Sequence, residues 1–232
     1  YSINDAAVCG AVAVGMGYTQ FSELSSALNI PIMGQKTYTA SETKVFEITE
    51  QVALDEMIRA GKEEHGLAVE AGEIDSDGIP LITVIVDGAW SKRSYKSNYN
   101  ALSGVGCIIG ARTRKILYIG VRNKFCSVCD KFKNNQINKP LHKCFKNWEG
   151  TSTGMEADII LDGFKNSMKT HNLKYVKIIG DGDSSVYKKV RDAKPYGPNC
   201  FIHKIECRNH VLRNFCNKIR ELSKLPRTDM QI

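Results

Sequence analysis

The stretch ITVIVDGAW, residues 82–90, is a run of apolar and β-branched residues with one carboxylate, Asp87. Such a composition predicts a β-strand that is buried on both faces. A second stretch, YVKIIGDGD at 175–183, has the same form and reaches its first carboxylate at Asp181. The two stretches therefore predict two interior strands of one sheet, each ending at an aspartate.

The segments around these strands predict an α/β fold with a mixed sheet. NALSGVGCIIGAR (100–112) and RKILYIGVRNKF (114–125) are strand-like, and the short link between them predicts an antiparallel hairpin. The remaining patterns are helices at 153–172, 184–193 and 206–222 and a strand at 199–205. The predicted order is β, β, β, α, β, α, β, α, which is typical of continuous apolar strands packed between helix layers.

Residues 1–78 predict a separate helical region that precedes the sheet. Two short helices are expected within residues 1–30, and a long helix is expected from a cap at Thr39 or Ser41 to Gly72. This region is acidic, whereas phosphate contacts need Lys and Arg, so a packing arm is favoured over a DNA-reading helix-turn-helix. The predicted domains are therefore 1–78 and 79–232.

Charge is distributed unevenly along the 232 residues. The first 80 residues carry 13 acidic and 4 basic side chains, and the remaining 152 carry 12 and 28. A basic segment of this kind favours nucleic acid as the partner, with a plain solvated surface as the alternative. The sequence holds no run of 18 apolar residues, which argues against a membrane partner. The eight cysteines, several of them close to histidines, indicate a reducing compartment, cytosol or nucleus.

The two strand-end aspartates predict a metal site. If the first and fourth strands are neighbours, Asp87 and Asp181 converge at the sheet edge where α/β proteins bind ligands, and Mg²⁺ would offset their repulsion. The alternative is turn chemistry, because Asp-Gly is a common turn dipeptide. Asp183 fits a helix cap better than a ligand. Glu156 opens the predicted helix at 153–172, and metal binding and helix-dipole stabilisation remain open for it.

A loop rich in Cys, Lys and Asn, residues 126–149, predicts a zinc knuckle. Its ligand pattern is Cys126-x₂-Cys129-x₁₂-His142-x-Cys144, which supplies the four ligands of a closed tetrahedral site. The loop has few apolar residues, so metal binding would provide its folding energy. The alternative is a set of unrelated thiols and a surface histidine.

Basic side chains near this loop are candidate phosphate contacts. Those in the knuckle and in the basic, aromatic stretch WSKRSYKSNY (90–99) are Lys131, Lys133, Lys143, Lys146, Lys92 and Arg93.

Five stretches together resemble the catalytic core of Mutator-like transposases of invertebrate genomes. They are VDGAWSKRSYKSNYNALSGVGCIIG, VRNKFCSVCD, KNWEGTSTGMEADI, IIGDGDSSVY and HKIECRNHVLRN, and they span roughly residues 79–216. The resemblance implies an RNase H-like fold and a DDE-type DNA transposase that acts in the nucleus on transposon ends and target DNA. It also implies that Asp87 and Asp181 bind Mg²⁺ or Mn²⁺, and it leaves a homo-oligomer open.

Two further features of the family apply to this sequence, a third carboxylate and a Cys-x-x-His signature. Its third carboxylate lies on a helix far downstream, so the chain reads as a fragment that ends before this residue and is expected to be inactive as it stands. The alternatives are a transposon-derived DNA-binding protein without activity and an RNase H-like nuclease, which Glu156 at the metals would favour. Its Cys-x-x-His signature is matched by Cys207 and His210, for which a structural role is favoured. A zinc cluster of this pair with Cys200 and His203 is disfavoured, because strand alternation would point Cys200 and His203 to opposite faces.

Overall fold

The computed structural model describes residues 2–91, 101–133, 140–180 and 184–223. The chain falls into two compact units that divide between Glu56 and Met57. This division lies within one long helix, α3, which runs from Gln35 to Glu70. The domain boundary between residues 78 and 79 stays a prediction.

The first unit contains two short helices and the start of α3. Helix α1 spans Ile3–Ala13 and α2 spans Tyr18–Ala27, as the sequence predicts, but α3 begins before the predicted caps. The small core of this unit consists of Val8, Ala11, Tyr38 and Val45. Lys44 forms an ion pair with the buried Asp5, and this hydrogen bond lowers the pKa of that carboxyl.

The second unit is built on a five-stranded mixed sheet. Its strands, in chain order, are β1 (Leu81–Trp90), β2 (Ser103–Gly110), β3 (Ile116–Asn123), β4 (Lys174–Gly180) and β5 (His203–Glu206). Their order across the sheet is β3-β2-β1-β4-β5. Strands β1 to β3 are antiparallel neighbours, whereas β4 is parallel to β1 and β5 is parallel to β4. The predicted mixed sheet, the hairpin and the pairing of the first and fourth strands are confirmed.

Besides the end of α3, four helices accompany the sheet in the described residues of this unit. They are α4 (Ser127–Lys131), α5 (Gly154–His171), α6 (Ser184–Ala193) and α7 (Arg208–Leu222). Helices α5 and α6 share one hydrophobic core with β1 and β4. Within it, the ring of Phe164 in α5 meets Tyr175 of β4 edge-on at a centroid distance of 5.2 Å.

The prediction that β1 is buried on both faces is wrong for the described residues. Ile82, Val84 and Val86 are buried in the core, but the alternating Leu81, Thr83 and Ile85 are only half-buried. The reason is that α5 and α6 pack on the same face of the sheet. Other strands of the sheet also expose apolar residues on the other face, including Val105 of β2 and Ile205 of β5.

An ion-pair network ties α5 to its neighbours. Asp158 of α5 accepts hydrogen bonds from Arg122 Nε of β3 at 2.8 Å and from Lys189 Nζ of α6 at 2.9 Å. Burial opposes ionisation of Asp158, but the hydrogen bonds from Lys189 and Arg122 outweigh it, and the pKa of the carboxyl is lowered. The network therefore fixes α5 against both the edge strand and the next helix.

A buried glutamate joins the end of α3 to the β2–β3 hairpin. Glu64 is fully buried, and its Oε1 accepts bonds from the backbone N–H of Thr113 at 2.8 Å and of Arg112 at 3.2 Å. The Thr113 hydroxyl donates to the same oxygen at 2.9 Å. The acidic helix predicted as a packing arm thus contributes one carboxylate to the hairpin.

We expect Glu64→Ala to lower the free energy of unfolding by about 2 kcal/mol or more, because it leaves two backbone N–H groups of the hairpin without their acceptor. Urea denaturation followed by tryptophan fluorescence measures the change. Glu63→Ala is the matched control, since the neighbouring Glu63 forms an exposed ion pair with Lys115 that is worth at most about 1 kcal/mol. Equal effects of the two variants would contradict the role of Glu64.

Candidate functional site

Asp87 lies within β1, where the parallel pairing with β4 ends, and the prediction that the strand itself ends at this aspartate is wrong, because β1 stays paired with β2 as far as Trp90. Ile85 of β1 is opposite Ile179 of β4, and β4 ends one residue later at Gly180. On the other side Asp87 is paired with Cys107 of β2. The side chain of Asp87 is exposed, and its Oδ1 accepts a hydrogen bond from the backbone N–H of Gly88 at 2.8 Å. The carboxylate is thus held at the carboxyl edge of β1 and open to solvent.

Glu156 reaches the same edge from the first turn of α5. Its side chain lies directly over Gly88, so that a Cβ placed on Gly88 would be 2.7 Å from the carboxyl carbon of Glu156. Real Cβ contacts essentially never are that short, so any side chain at position 88 would make the carboxyl end of Glu156 move from this place. Because Gly88 has no side chain, the carboxyl group of Glu156 can lie over the position next to Asp87.

Both carboxylates affect the pKa of the Cys107 thiol. Burial raises its pKa, and the negative charges of Asp87 and Glu156 raise it further. The Cys107 thiol also donates a long hydrogen bond of 3.6 Å to the carbonyl oxygen of Asp87. The negative charges of two acidic side chains, one from β1 and one from α5, are therefore both felt by the Cys107 thiol at this edge of the sheet.

The loop before α5 fixes where that helix begins. The indole Nε1 of Trp90, at the end of β1, donates to the carbonyl oxygen of Ser152 at 3.1 Å. The buried hydroxyl of Ser152 donates to the carbonyl oxygen of Ala101 at 2.8 Å. The first bond attaches the start of α5, and with it Glu156, to the strand that carries Asp87, and the second attaches it to the segment just before β2.

Three predicted residues, Asp181, Lys92 and Arg93, lie outside the described residues. Asp181 directly follows Gly180, the last residue of β4, in the sequence. The carbonyl oxygen of Gly180 accepts a hydrogen bond of 3.0 Å from the backbone N–H of Cys207.

The predicted knuckle residues come together in one cluster. One ligand atom each from Cys126, Cys129, His142 and Cys144 can be chosen so that all four lie within 4.8 Å of one another. Cys126 Sγ and Cys129 Sγ are 3.3 Å and 3.5 Å from His142 Nε2, and Cys129 Sγ is 3.4 Å from Cys144 Sγ. Tetrahedral zinc, with bonds of about 2.3 Å to sulfur and 2.0 Å to nitrogen, would separate its ligands by roughly 3.6–3.8 Å. The cluster therefore has the size and the donor set of a zinc site.

The electrostatics of the cluster also suit a metal. Hydrogen bonds from the Cys129 backbone, and then from His142, lower the pKa of the Cys126 thiol to about 6. Cys126 is the N-cap of α4, a position that favours a thiolate. His142 Nδ1 lies 3.0 Å from the Pro140 carbonyl oxygen, to which it can donate its proton, and Nε2 then keeps a lone pair for the metal.

Two asparagines attach the knuckle to the edge of the sheet. The side-chain oxygen of Asn147 accepts from the backbone N–H of Asn123, the last residue of β3, at 2.6 Å. Its amide nitrogen donates to the Val121 carbonyl oxygen at 3.0 Å. The cluster is consequently held beside β3.

A family model described as Mutator-like transposase matches residues 1–231, essentially the whole chain. The chain belongs to the Mutator-like transposase family. The resemblance predicted from the sequence is confirmed. Among the curated proteins, none matches this sequence. Within the described ranges, no helix is both long and apolar enough to cross a membrane.

The Cys-x-x-His signature of this transposase family member lies at the start of α7. Cys207 is the N-cap of that helix, and its hydrogen bond with the His210 side chain lowers the pKa of the thiol. His210 also donates its backbone N–H to the Cys207 carbonyl oxygen at 3.0 Å. In the described ranges, neither residue belongs to a group of three or more metal-ligating side chains.

The predicted phosphate contacts in the knuckle are all exposed. They are Lys131, Lys133, Lys143 and Lys146. Lys146 forms an ion pair with Glu149 at 2.9 Å, and this hydrogen bond raises the pKa of the lysine. The Lys143 ammonium lies 5.9 Å from the centre of the Phe145 ring.

Sequence reasoning missed the residues that position the site. Gly88 was visible only as part of an Asp-Gly turn, and Ser152 and Asn147 looked like ordinary loop residues. Their roles depend on contacts between segments 24 to 68 positions apart in the chain. No local pattern carries that information.

We expect the purified protein to contain one zinc ion per chain and Cys129→Ser to lose it, because three ligands hold zinc much less tightly than four. Elemental analysis measures the metal, and limited proteolysis within residues 126–149 reports the folding of the knuckle. Cys216→Ser is the control, because Cys216 is exposed on α7 and outside the cluster. Full zinc content in Cys129→Ser would rule out this ligand set.

Proposed function

We propose that this chain is the catalytic core of a DNA transposase, with an RNase H-like fold and a DDE-type site. In this proposal it performs metal-dependent phosphodiester cleavage and strand transfer at transposon ends, in the nucleus. The family supports a transposase-related function. The observation that carries the catalytic part is the carboxyl group of Glu156 over Gly88, next to Asp87 at the edge of β1.

The order of the sheet supports the RNase H-like assignment. Three antiparallel strands are followed by two parallel strands, and β1 and β4 are central neighbours. In such a sheet, side chains at the end of the parallel pairing between β1 and β4 are close to one ligand-binding edge. Asp181 comes directly after β4, so the proposal assigns it to that edge together with Asp87.

The donor set fits a hard divalent cation. Asp87, Asp181 and Glu156 offer carboxylate oxygens, which Mg²⁺ and Mn²⁺ prefer, and no thiol or imidazole is needed. When bound, such an ion would polarise the phosphodiester and lower the pKa of an attacking water. Glu156 would act together with the family's third carboxylate, which the resemblance implies on a downstream helix.

The chain's own residues contribute rigidity and orientation. Asp87 is fixed by its position in β1 and by the bond from Gly88. Glu156 is fixed by the loop that Trp90 and Ser152 attach to β1 and β2, and by the ion pairs of Asp158 two residues later. Preorganised carboxylates need little rearrangement when the reaction begins.

DNA is the proposed partner, and the knuckle is proposed as a structural zinc site. Its exposed lysines and the basic character of residues 81–232 support phosphate contacts. The zinc is proposed to be structural because four protein ligands leave no open position for substrate. A homo-oligomer is compatible with these features.

A second candidate function is a nuclease that cleaves without strand transfer, and the position of Glu156 favours it. Both enzymes would use the same carboxylates, so a strand-joining assay with a target plasmid separates them. A DNA-binding protein without activity would keep the knuckle and its lysines but show no cleavage at all.

In the full-length protein we expect Asp87→Asn, Asp181→Asn and Glu156→Gln each to reduce Mg²⁺-dependent cleavage of terminal-repeat DNA by about 100-fold or more. Each substitution removes the negative charge of a metal ligand and keeps the shape of the side chain. A gel assay with labelled DNA measures cleavage, and a filter-binding assay measures DNA affinity, which should not fall. Asp77→Asn is the control, since this exposed carboxylate lies before β1, at the other end of that strand. Unchanged cleavage in Asp87→Asn would end the metal assignment.

We expect Gly88→Ala to reduce the same cleavage by at least about tenfold, because the added methyl group must displace the Glu156 carboxyl group. Gly66→Ala, a substitution in α3 with open space around it, provides the control. If Gly88→Ala kept full activity while the protein stayed folded, the position of Glu156 would have no catalytic meaning.

A further inference from the structure

The segment Leu141–Phe145 alternates between residues that face the metal cluster and residues that face solvent. His142 and Cys144 supply ligand atoms to the cluster. Between and beside them, Leu141 is fully exposed, Lys143 is exposed and Phe145 is 62% exposed. The outward side chains therefore form a stripe in which a lysine separates two large apolar groups.

The metal ligands determine the direction of this stripe. The segment belongs to neither a helix nor a strand. The backbone N–H of Phe145 donates to the Cys126 thiol, which turns its backbone toward the cluster. Because His142 and Cys144 point inward, Leu141, Lys143 and Phe145 are presented outward together. Zinc binding would fix this presentation.

The stripe contributes nothing visible to the stability of the fold. A fully exposed leucine buries no apolar surface, and two large apolar groups so close together on a small loop indicate a binding role. The charge of the knuckle selects the kind of partner. Its described residues carry four lysines against two carboxylates, Asp130 and Glu149, and Glu149 is already paired with Lys146.

We propose that Leu141 and Phe145 form a wedge that contacts the faces of unpaired or unstacked DNA bases, with Lys143 on an adjoining phosphate. Aromatic rings stack on bases of any sequence, and apolar side chains enter disrupted base steps. The Lys143 ammonium close to the Phe145 ring puts a cation and a stacking surface at one point, as a nucleotide requires. This inference rests on the proposed function in one respect, that DNA is the partner.

The experiment compares binding to two DNA duplexes that differ by one unpaired 2-aminopurine. Phe145→Ala should weaken binding of the duplex with the unpaired base by about 5- to 150-fold, the range for loss of one base stacked on an aromatic ring, and Leu141→Ala should weaken it by a smaller factor. Quenching of the 2-aminopurine fluorescence should be lost in Phe145→Ala and kept in Phe145→Trp. Binding of the fully paired duplex should change much less.

Phe201→Ala is the matched control, because Phe201 is also a largely exposed phenylalanine, at 74%, but lies just before β5 and outside the knuckle. Zinc content must stay at the level of the unmodified protein in every variant except Cys129→Ser, which should lose the quenching together with the zinc. Lys143→Gln should weaken binding to both duplexes equally and reduce the salt dependence by about one phosphate contact.

Two outcomes would overturn the proposal. One is equal binding and quenching by Phe145→Ala and the unmodified protein. The other is a change only in self-association, measured by sedimentation, which would assign the stripe to a second copy of the chain. Asp87→Asn separates this inference from the proposed function, because it should abolish cleavage and leave the quenching unchanged.

Discussion

The close contact between α5 and the sheet is the constraint on which the second unit depends. Ile159 of α5 lies so near the strands that a Cβ would come within 2.9 Å of it at Gly106 and 2.6 Å at Gly120. Side chains at these positions would push the helix away from β2 and β3. The glycines therefore let a helix approach the sheet backbone, and the helix brings Glu156 to the edge of β1.

The glycines leave room for α5 but do not fix its position along the sheet. The ion pairs of Arg122 and Lys189 with Asp158 fix that position, one from the edge strand and one from α6. Partly buried charge pairs of this kind contribute little net stability, but removing one partner leaves the charge of the other without a counter-ion. Their main effect here is to select one position of α5 along the sheet.

The knuckle and the carboxylate edge share the connection between β3 and α5. Asn147 joins the exit of the knuckle to the end of β3, and Ser152 attaches the following loop to Ala101. Trp148, between them, has the Lys189 ammonium 5.8 Å from its ring centre. The cluster and the start of α5 are thus joined by about ten residues of chain that are attached by hydrogen bonds at Asn147 and Ser152.

Much of this architecture could be predicted from the sequence, because strands and helices here have strong local patterns. The pairing of β1 with β4 and the Cys₃His cluster were also predictable, from the order of strands and helices and from ligand spacing. The half-open face of β1 was not, because Leu81 and Ile85 look the same in sequence whether or not a helix covers them. Glu64 was taken for one more charge of an acidic helix, since nothing local distinguishes a buried carboxylate from an exposed one.

Gly88 has a consequence in genetic terms. A single base change converts any glycine codon to an alanine codon and adds one methyl group where the Glu156 carboxyl group lies. A transposon copy with this change would still encode Asp87, Asp181, Glu156 and the complete knuckle. Inspection of the acidic residues alone would not reveal that the Glu156 carboxyl group had been made to move from its place over position 88.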